Sequence, residues 1–167
     1  MILIIGANGF FGNQLQKLFL KKKVRFIPTD ISLNKKNFLD IRDLVSIKKF
    51  LKINNITMVI NCSCEPATSN SKKRLWDTNV IGNQNLIKAC EEFNILKYIY
   101  ISTSAIWVKD YEKSVNENEE YCPVENYGDS KVQAEKDIKT SNLTNWTIFR
   151  VPMIVSKERL GILSLLF

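Results

Sequence analysis

The stretch Met1-Ile2-Leu3-Ile4-Ile5-Gly6-Ala7-Asn8-Gly9-Phe10-Phe11-Gly12 constrains this chain more than any other. An apolar run ends in three glycines spaced three apart, and a helical apolar pattern (Leu15, Leu18, Phe19) follows at once. The order predicts a strand, a tight turn and a helix N-terminus. Gly6 suits a turn that strains other residues, Gly9 lets backbone approach a ligand, and Gly12 lets the helix lie close to the strand. Free N–H groups and the positive dipole end at a helix start suit a pyrophosphate. Gly6, Asn8, Gly9, Phe10, Phe11 and Gly12 are therefore candidate cofactor-binding residues.

Val24-Arg25-Phe26-Ile27 reads as the next strand, and Asp30 lies just past its end, 18 residues beyond Gly12. A carboxylate at that separation can accept hydrogen bonds from both ribose hydroxyls of an adenosine half and repels a 2′-phosphate. Asp30 thus favours NAD over NADP, while Lys35 and Lys36 nearby pull the other way.

Strand and helix patterns alternate over the remaining length. Asp40 is placed to cap a helix with Leu44, Ile47, Phe50 and Leu51 on one face; Met58-Val59-Ile60 is a short buried strand. A long helix carries Trp76, Val80, Leu86, Ile87 and Cys90, and Tyr98-Ile99-Tyr100-Ile101 is the fourth strand. Residues 108–122 read as a charged surface loop, 126–140 as a helix and Trp146-Thr147-Ile148-Phe149 as the last strand. Such alternation with all-apolar strands indicates an α/β fold with a parallel sheet covered on both faces. Ligands bind such sheets at the strands' carboxyl ends, where Gly6, Asp30, Asn61 and Thr103 fall.

With no histidine among 167 residues, Ser-His-Asp and Cys-His nucleophile machinery is excluded. Cys62 and Cys64 would share one face of a strand, but no second pair follows at metal-ligand spacing, so no metal site is expected. Cys62, Cys64, Cys90 and Cys122 read as buried reduced thiols of a cytoplasmic protein. The net charge of +7 is scattered lysine without an aromatic-interleaved stripe, which argues against nucleic acid as the partner. No apolar segment reaches a membrane span, and the first residues lack the basic start of a signal peptide.

Tyr127-Gly128-Asp129-Ser130-Lys131 opens the penultimate helical pattern, with Tyr127 and Lys131 four apart on one face. An ammonium beside a phenol favours the phenolate, predicting a Tyr127 pKa below its usual value near ten. Together with the glycine turn, three further stretches carry a resemblance. They are Leu39-Asp40-Ile41-Arg42-Asp43, Asn79-Val80-Ile81-Gly82-Asn83-Gln84-Asn85-Leu86 and Tyr100-Ile101-Ser102-Thr103-Ser104-Ala105-Ile106-Trp107. In this order and spacing the chain resembles the extended short-chain dehydrogenase/reductase family, whose members include NAD-dependent epimerases, dehydratases and reductases of nucleotide sugars.

The resemblance implies a Rossmann-type, doubly wound parallel sheet over residues 1–155 that binds NAD in preference to NADP. It implies Tyr127 as general acid/base on a sugar oxygen, Lys131 on the nicotinamide ribose, Thr103 on the reacting oxygen and Asn79 shaping the active-site helix. Asp40 and Ile41 would flank the adenine, and Cys62, Ser63 and Cys64 would line the cofactor. Ser104 and Ala105 stand where dehydratases of this family carry an Asp-Glu pair, which argues against dehydration. Ala105 also fills the place of a cysteine used by fucose-type epimerase-reductases. Ile106-Trp107-Val108 replaces the usual Val-Tyr-Gly, so the substrate side is altered. The expected activity is epimerisation of a nucleotide sugar or reduction of a keto-sugar; a non-catalytic NAD-binding module is the alternative. The resemblance also implies a homodimer through helices around 72–93 and 126–140. Residues 156–167 form an apolar stretch read as the start of a substrate-binding C-terminal part that is largely missing here.

Overall fold

The computed structural model describes residues 1–107, 114–123 and 125–154. Its five strands are β1 (Ile2–Ile5), β2 (Phe26–Thr29), β3 (Met58–Asn61), β4 (Lys97–Thr103) and β5 (Trp146–Val151). They form one sheet in the order β2-β1-β3-β4-β5, with every neighbouring pair parallel. The helices are α1 (Phe10–Lys21), α2 (Leu44–Asn54), α3 (Lys72–Trp76), α4 (Gly82–Glu92) and α5 (Asn126–Lys139). Right-handed crossovers place α1, which joins β1 to β2 in one direction, on the face opposite the helices that step the other way. Consistently, Leu3, Ile5, Val59, Tyr98 and Tyr100 of the sheet share a core with Ile47 and Leu51 of α2, Leu86 and Cys90 of α4 and Ile138 of α5. The α/β, doubly wound parallel sheet expected from the sequence is the fold observed.

Several local details depart from the sequence pattern. β2 starts at Phe26 because Lys23 adopts φ 57° and the Val24 N–H bonds back to Phe19, so residues 23–25 serve the exit from α1. The α2 cap is Asp43, not Asp40: its carboxylate accepts from the Val45 and Ser46 N–H groups, whereas Asp40 is taken up by Arg42. β3 ends at Asn61, so Cys62 and Cys64 lie beyond the strand; Cys90 alone among the four thiols is fully buried, Cys64 is exposed, and all four are free.

The long helix expected around Trp76 is interrupted by one π-helical turn, Asp77–Ile81. The wider turn shifts the apolar phase, which leaves Trp76 40% exposed while Leu75 and Val80 are buried. β4 and β5 run further than their apolar cores, because Ser102 pairs with Arg150 and Thr103 with Val151. Residues 114–120 form a surface loop with a turn at 117–118, whereas Tyr121 and Cys122 are half-buried and Cys122 pairs with Trp107; 108–113 and the apolar stretch 156–167 lie outside the described residues. Among the described residues, no helix is long and apolar enough to cross a membrane.

Candidate active site

All five strands open at their carboxyl ends onto one cavity of about 1190 Å³. Its lining follows the strand order: Asp30 after β2, Gly6 after β1, Cys62 after β3, Thr103 at the end of β4 and Val151 at the end of β5. The strand order reverses between β1 and β3, the switch point where open α/β sheets hold ligands.

The glycine turn meets the geometry its sequence requires. Gly6 has φ +75°, and a Cβ there would lie 2.6 Å from the Ser63 nitrogen. A Cβ on Gly12 would lie 2.3 Å from the Gly6 carbonyl oxygen, so α1 can leave the turn only because that position is bare. Gly12 does this from outside the cavity, whereas Gly6, Asn8, Gly9, Phe10 and Phe11 line it. A Cβ on Gly9 would touch only the Gly6 carbonyl, at 3.2 Å, and otherwise meet open space. The first turn of α1 has no acidic residue, and among the described residues no side chain at its N-cap position hydrogen-bonds it. This is a bare backbone cradle at the positive end of a helix dipole, suited to a diphosphate.

Asp30 latches the turn to β2. Its carboxylate accepts from the Asn8 N–H at 3.1 Å and from the Ser32 N–H and hydroxyl at 2.9 and 2.8 Å. The Asn8 amide donates to the Ser32 hydroxyl at 2.7 Å. Lys35 and Lys36 are exposed and outside the lining. Asp40 and Ile41 line the same end; the hydrogen-bonded Arg42 guanidinium, 2.7 Å from Asp40, holds that carboxyl below its usual range.

Tyr127, Lys131 and Thr103 meet on the β4 side. Lys131 is 1% exposed; its Nζ donates to the Ile101 carbonyl at 2.8 Å and lies 4.2 Å from the centre of the Tyr100 ring. Burial pushes the Tyr127 phenol above its ordinary value, against the downward pull of the Lys131 charge and the Thr103 hydroxyl. This reverses the expected direction: desolvating a phenolate costs more here than one buried ammonium returns. Gly128 starts α5 tightly, since a Cβ would lie 2.9 Å from the Ala105 carbonyl.

Asn79 and Asn61 do not reach the cavity lining. Asn79, in the π turn, accepts from the Glu65 N–H at 2.8 Å and donates to the Glu65 carbonyl at 3.1 Å and the Ser130 hydroxyl at 3.0 Å. It ties the loop after β3 to α5. Asn61 is held in a buried network with Asn83, Tyr98 and Ser63. Cys62 and Ser63 do line the cavity, and burial pushes the Cys62 thiol up to about 12.

Sequence reading missed a second polar cluster behind the site. Glu135, fully buried, accepts from Ser102 at 2.5 Å, Tyr121 at 2.8 Å and Arg150 at 2.8 Å. Burial raises its carboxyl, but these hydrogen bonds together outweigh that and leave it below its usual value. The available signal was its spacing, four residues past Lys131 and eight past Tyr127 on the same helix face. Arg42, Ser32 and Trp107 also line the cavity without having been singled out as ligand-binding.

The NAD dependent epimerase/dehydratase family matches residues 2–159. An uncharacterised UDP-glucose epimerase, YtcB, of Bacillus subtilis is 28% identical over 157 residues, covering 81% of this chain and 49% of that protein. A dTDP-4-dehydrorhamnose reductase of Clostridium acetobutylicum superposes with a TM-score of 0.84 at 27% identity, covering 99% of this chain and 57% of the other. The UDP-glucose 4-epimerase of Thermus thermophilus, solved with NAD, has the same fold (TM-score 0.78, 21% identity, 89% of this chain and 54% of the other). The chain spans about half the length of the curated relatives it matches.

Proposed function

Because this chain belongs to the NAD-dependent epimerase/dehydratase family, we propose that it forms the cofactor-binding and catalytic half of an enzyme that oxidises or reduces a carbon of a nucleotide sugar. One observation carries the reading: a single groove has a bare diphosphate cradle and Asp30 at one end and Tyr127, Lys131 and Thr103 at the other. The cradle fits the diphosphate of NAD, since a Cβ on Gly9 would enter otherwise open space. Asp30, at the end of β2, offers acceptors for an adenosine ribose and repels a 2′-phosphate.

When bound, the nicotinamide accepts or supplies hydride at the sugar carbon. The chain's own residues manage the proton. Half-buried Tyr127 holds its proton at neutral pH and gives it to the sugar oxygen as a carbonyl is reduced. In the opposite direction the phenolate takes the hydroxyl proton, a form that the Lys131 charge favours. Thr103 shares the hydrogen bonding of that oxygen, and Lys131 holds a ribose hydroxyl. Ser104 and Ala105 offer no carboxyl at the reacting end for expulsion of water, so epimerisation or keto-sugar reduction is favoured over dehydration.

Fluorescence titration with NADH and NADPH tests the cradle and Asp30; tighter NADH binding is the expected result. Tyr127→Phe should abolish turnover of UDP- or dTDP-keto-sugars while leaving NADH affinity nearly unchanged. Loss of NADH binding as the main effect would count against this role. A second reading, motivated by the half-length coverage of the relatives, is a non-catalytic NAD-binding module. NADH binding without turnover on any of these sugars would support it.

A further inference from the structure

Trp107 stands where the resemblance leads one to expect a tyrosine, and nothing in the proposed chemistry uses it. Its side chain is fixed on two sides. The indole N–H donates to the Glu119 carbonyl at 3.3 Å, and the Arg150 guanidinium lies 4.4 Å from the ring centre. The backbone is held as well: Trp107 N–H bonds to Ser104, and Cys122 N–H bonds to Ile106.

Arg150 is itself immobilised. Its Nε and Nη2 donate to both oxygens of buried Glu135, and its Nη1 donates to the Glu117 carbonyl at 2.7 Å. Arg150 and Glu135 are 11% and 0% exposed, so this is a desolvated pair with its hydrogen-bonding groups engaged. Glu135 lies on the same face of α5 as Tyr127 and Lys131, and it also holds Ser102, next to Thr103. One buried carboxylate therefore fixes both the aromatic ring and the strand that carries the reacting-end threonine.

The position of the ring along the groove identifies its ligand. Cofactor-lining residues run from β2 to β4, whereas Trp107 lines the groove together with Val151 and Met153, beyond Thr103 at the β5 end. A hexose ring presents C–H faces that pack against aromatic rings, and a ring already immobilised loses little entropy in receiving one. We propose that Trp107 is the wall on which the hexose of the nucleotide sugar stacks, and that Glu135 and Arg150 are the positioning residues that aim it.

The inference rests on the reading of the groove given above, and the two are separated by measuring cofactor and sugar binding independently. The protein is saturated with NADH, then titrated calorimetrically with UDP-glucose and dTDP-glucose and with UDP and dTDP. In the wild type the glucosyl compounds should bind more tightly than the bare diphosphates. Trp107→Ala should shrink that margin about five-fold, and Trp107→Phe should largely restore it, with NADH affinity equal in all three proteins. An equal margin in wild type and Trp107→Ala overturns the proposal, as does failure of the NADH-loaded protein to bind either glucosyl compound. Failure of the wild type to bind NADH would bring down the reading of the groove itself, and this inference with it.

Discussion

Gly6 and Tyr127 show how single residues set the site. At Gly6 a side chain would face both a left-handed backbone and the Ser63 nitrogen at 2.6 Å. Gly6→Ala should therefore cost about 2–4 kcal/mol of stability and abolish NADH binding, readable by urea denaturation and titration; unchanged affinity would mean that the turn does not form the cradle. At Tyr127 the sign of the pKa shift makes a further prediction. Its phenol lies above its ordinary value through burial, so reductive turnover should be flat through neutral pH and fall only as alkaline pH removes the proton. Removing the Lys131 charge (Lys131→Met) takes away a downward pull and should move that alkaline fall to still higher pH. A fall at lower pH would contradict the arrangement. The Tyr127–Lys131 spacing was legible in the chain, but the direction of the shift was not, because spacing reports proximity and says nothing about desolvation.

Among the elements, helix starts and the π turn decide what reaches the cavity. Asp43 caps α2 through the Val45 and Ser46 N–H groups, leaving Asp40 to pair with Arg42 at the cavity edge. Asp43→Ala should lower the urea midpoint without changing NADH affinity; a matching loss of affinity would show that the cap and the cavity edge are coupled. The π turn directs Asn79 at Glu65 and Ser130, so it holds the loop after β3 against α5 from outside the cavity. Asn79→Ala should destabilise by about 1–3 kcal/mol and weaken NADH binding through the loosened 62–65 loop. Retention of wild-type affinity would reduce Asn79 to a purely structural role. The apolar period from Trp76 to Cys90 predicted a helix, but a single inserted residue in its ladder is invisible to a period count, hence the misplaced Trp76.

Across the whole molecule, the Glu135–Arg150 pair joins α5, β4, β5 and the surface segment 114–123. Its carboxyl is held below the unfolded value, so its stabilisation is present above about pH 4.3 and is lost as pH falls through the folded value. Glu135→Gln should cost about 3–5 kcal/mol near neutrality and flatten the acid limb of stability against pH; an unchanged acid limb would show that other carboxylates dominate it. The groove between α3 and α5, about 330 Å³ and lined by Trp76 and Val132, lies on the helices linked by resemblance to a homodimer. Light scattering should give a dimer mass that Trp76→Glu reduces to a monomer; a monomeric wild type at high concentration would remove that proposal.

The sequence by itself determined the sheet, the glycine turn, the acid after β2 and the Tyr127–Lys131 face. These depend on local periodicity, on bare Cα positions and on fixed spacings along one chain segment. Tertiary structure alone decided that Asn61 and Asn79 brace the site from behind, and that Glu135 is buried beneath it with Arg150. Those outcomes arise from contacts between residues 14 to 51 positions apart, where burial and competition for hydrogen-bond partners set the result, and neither is written in any one segment.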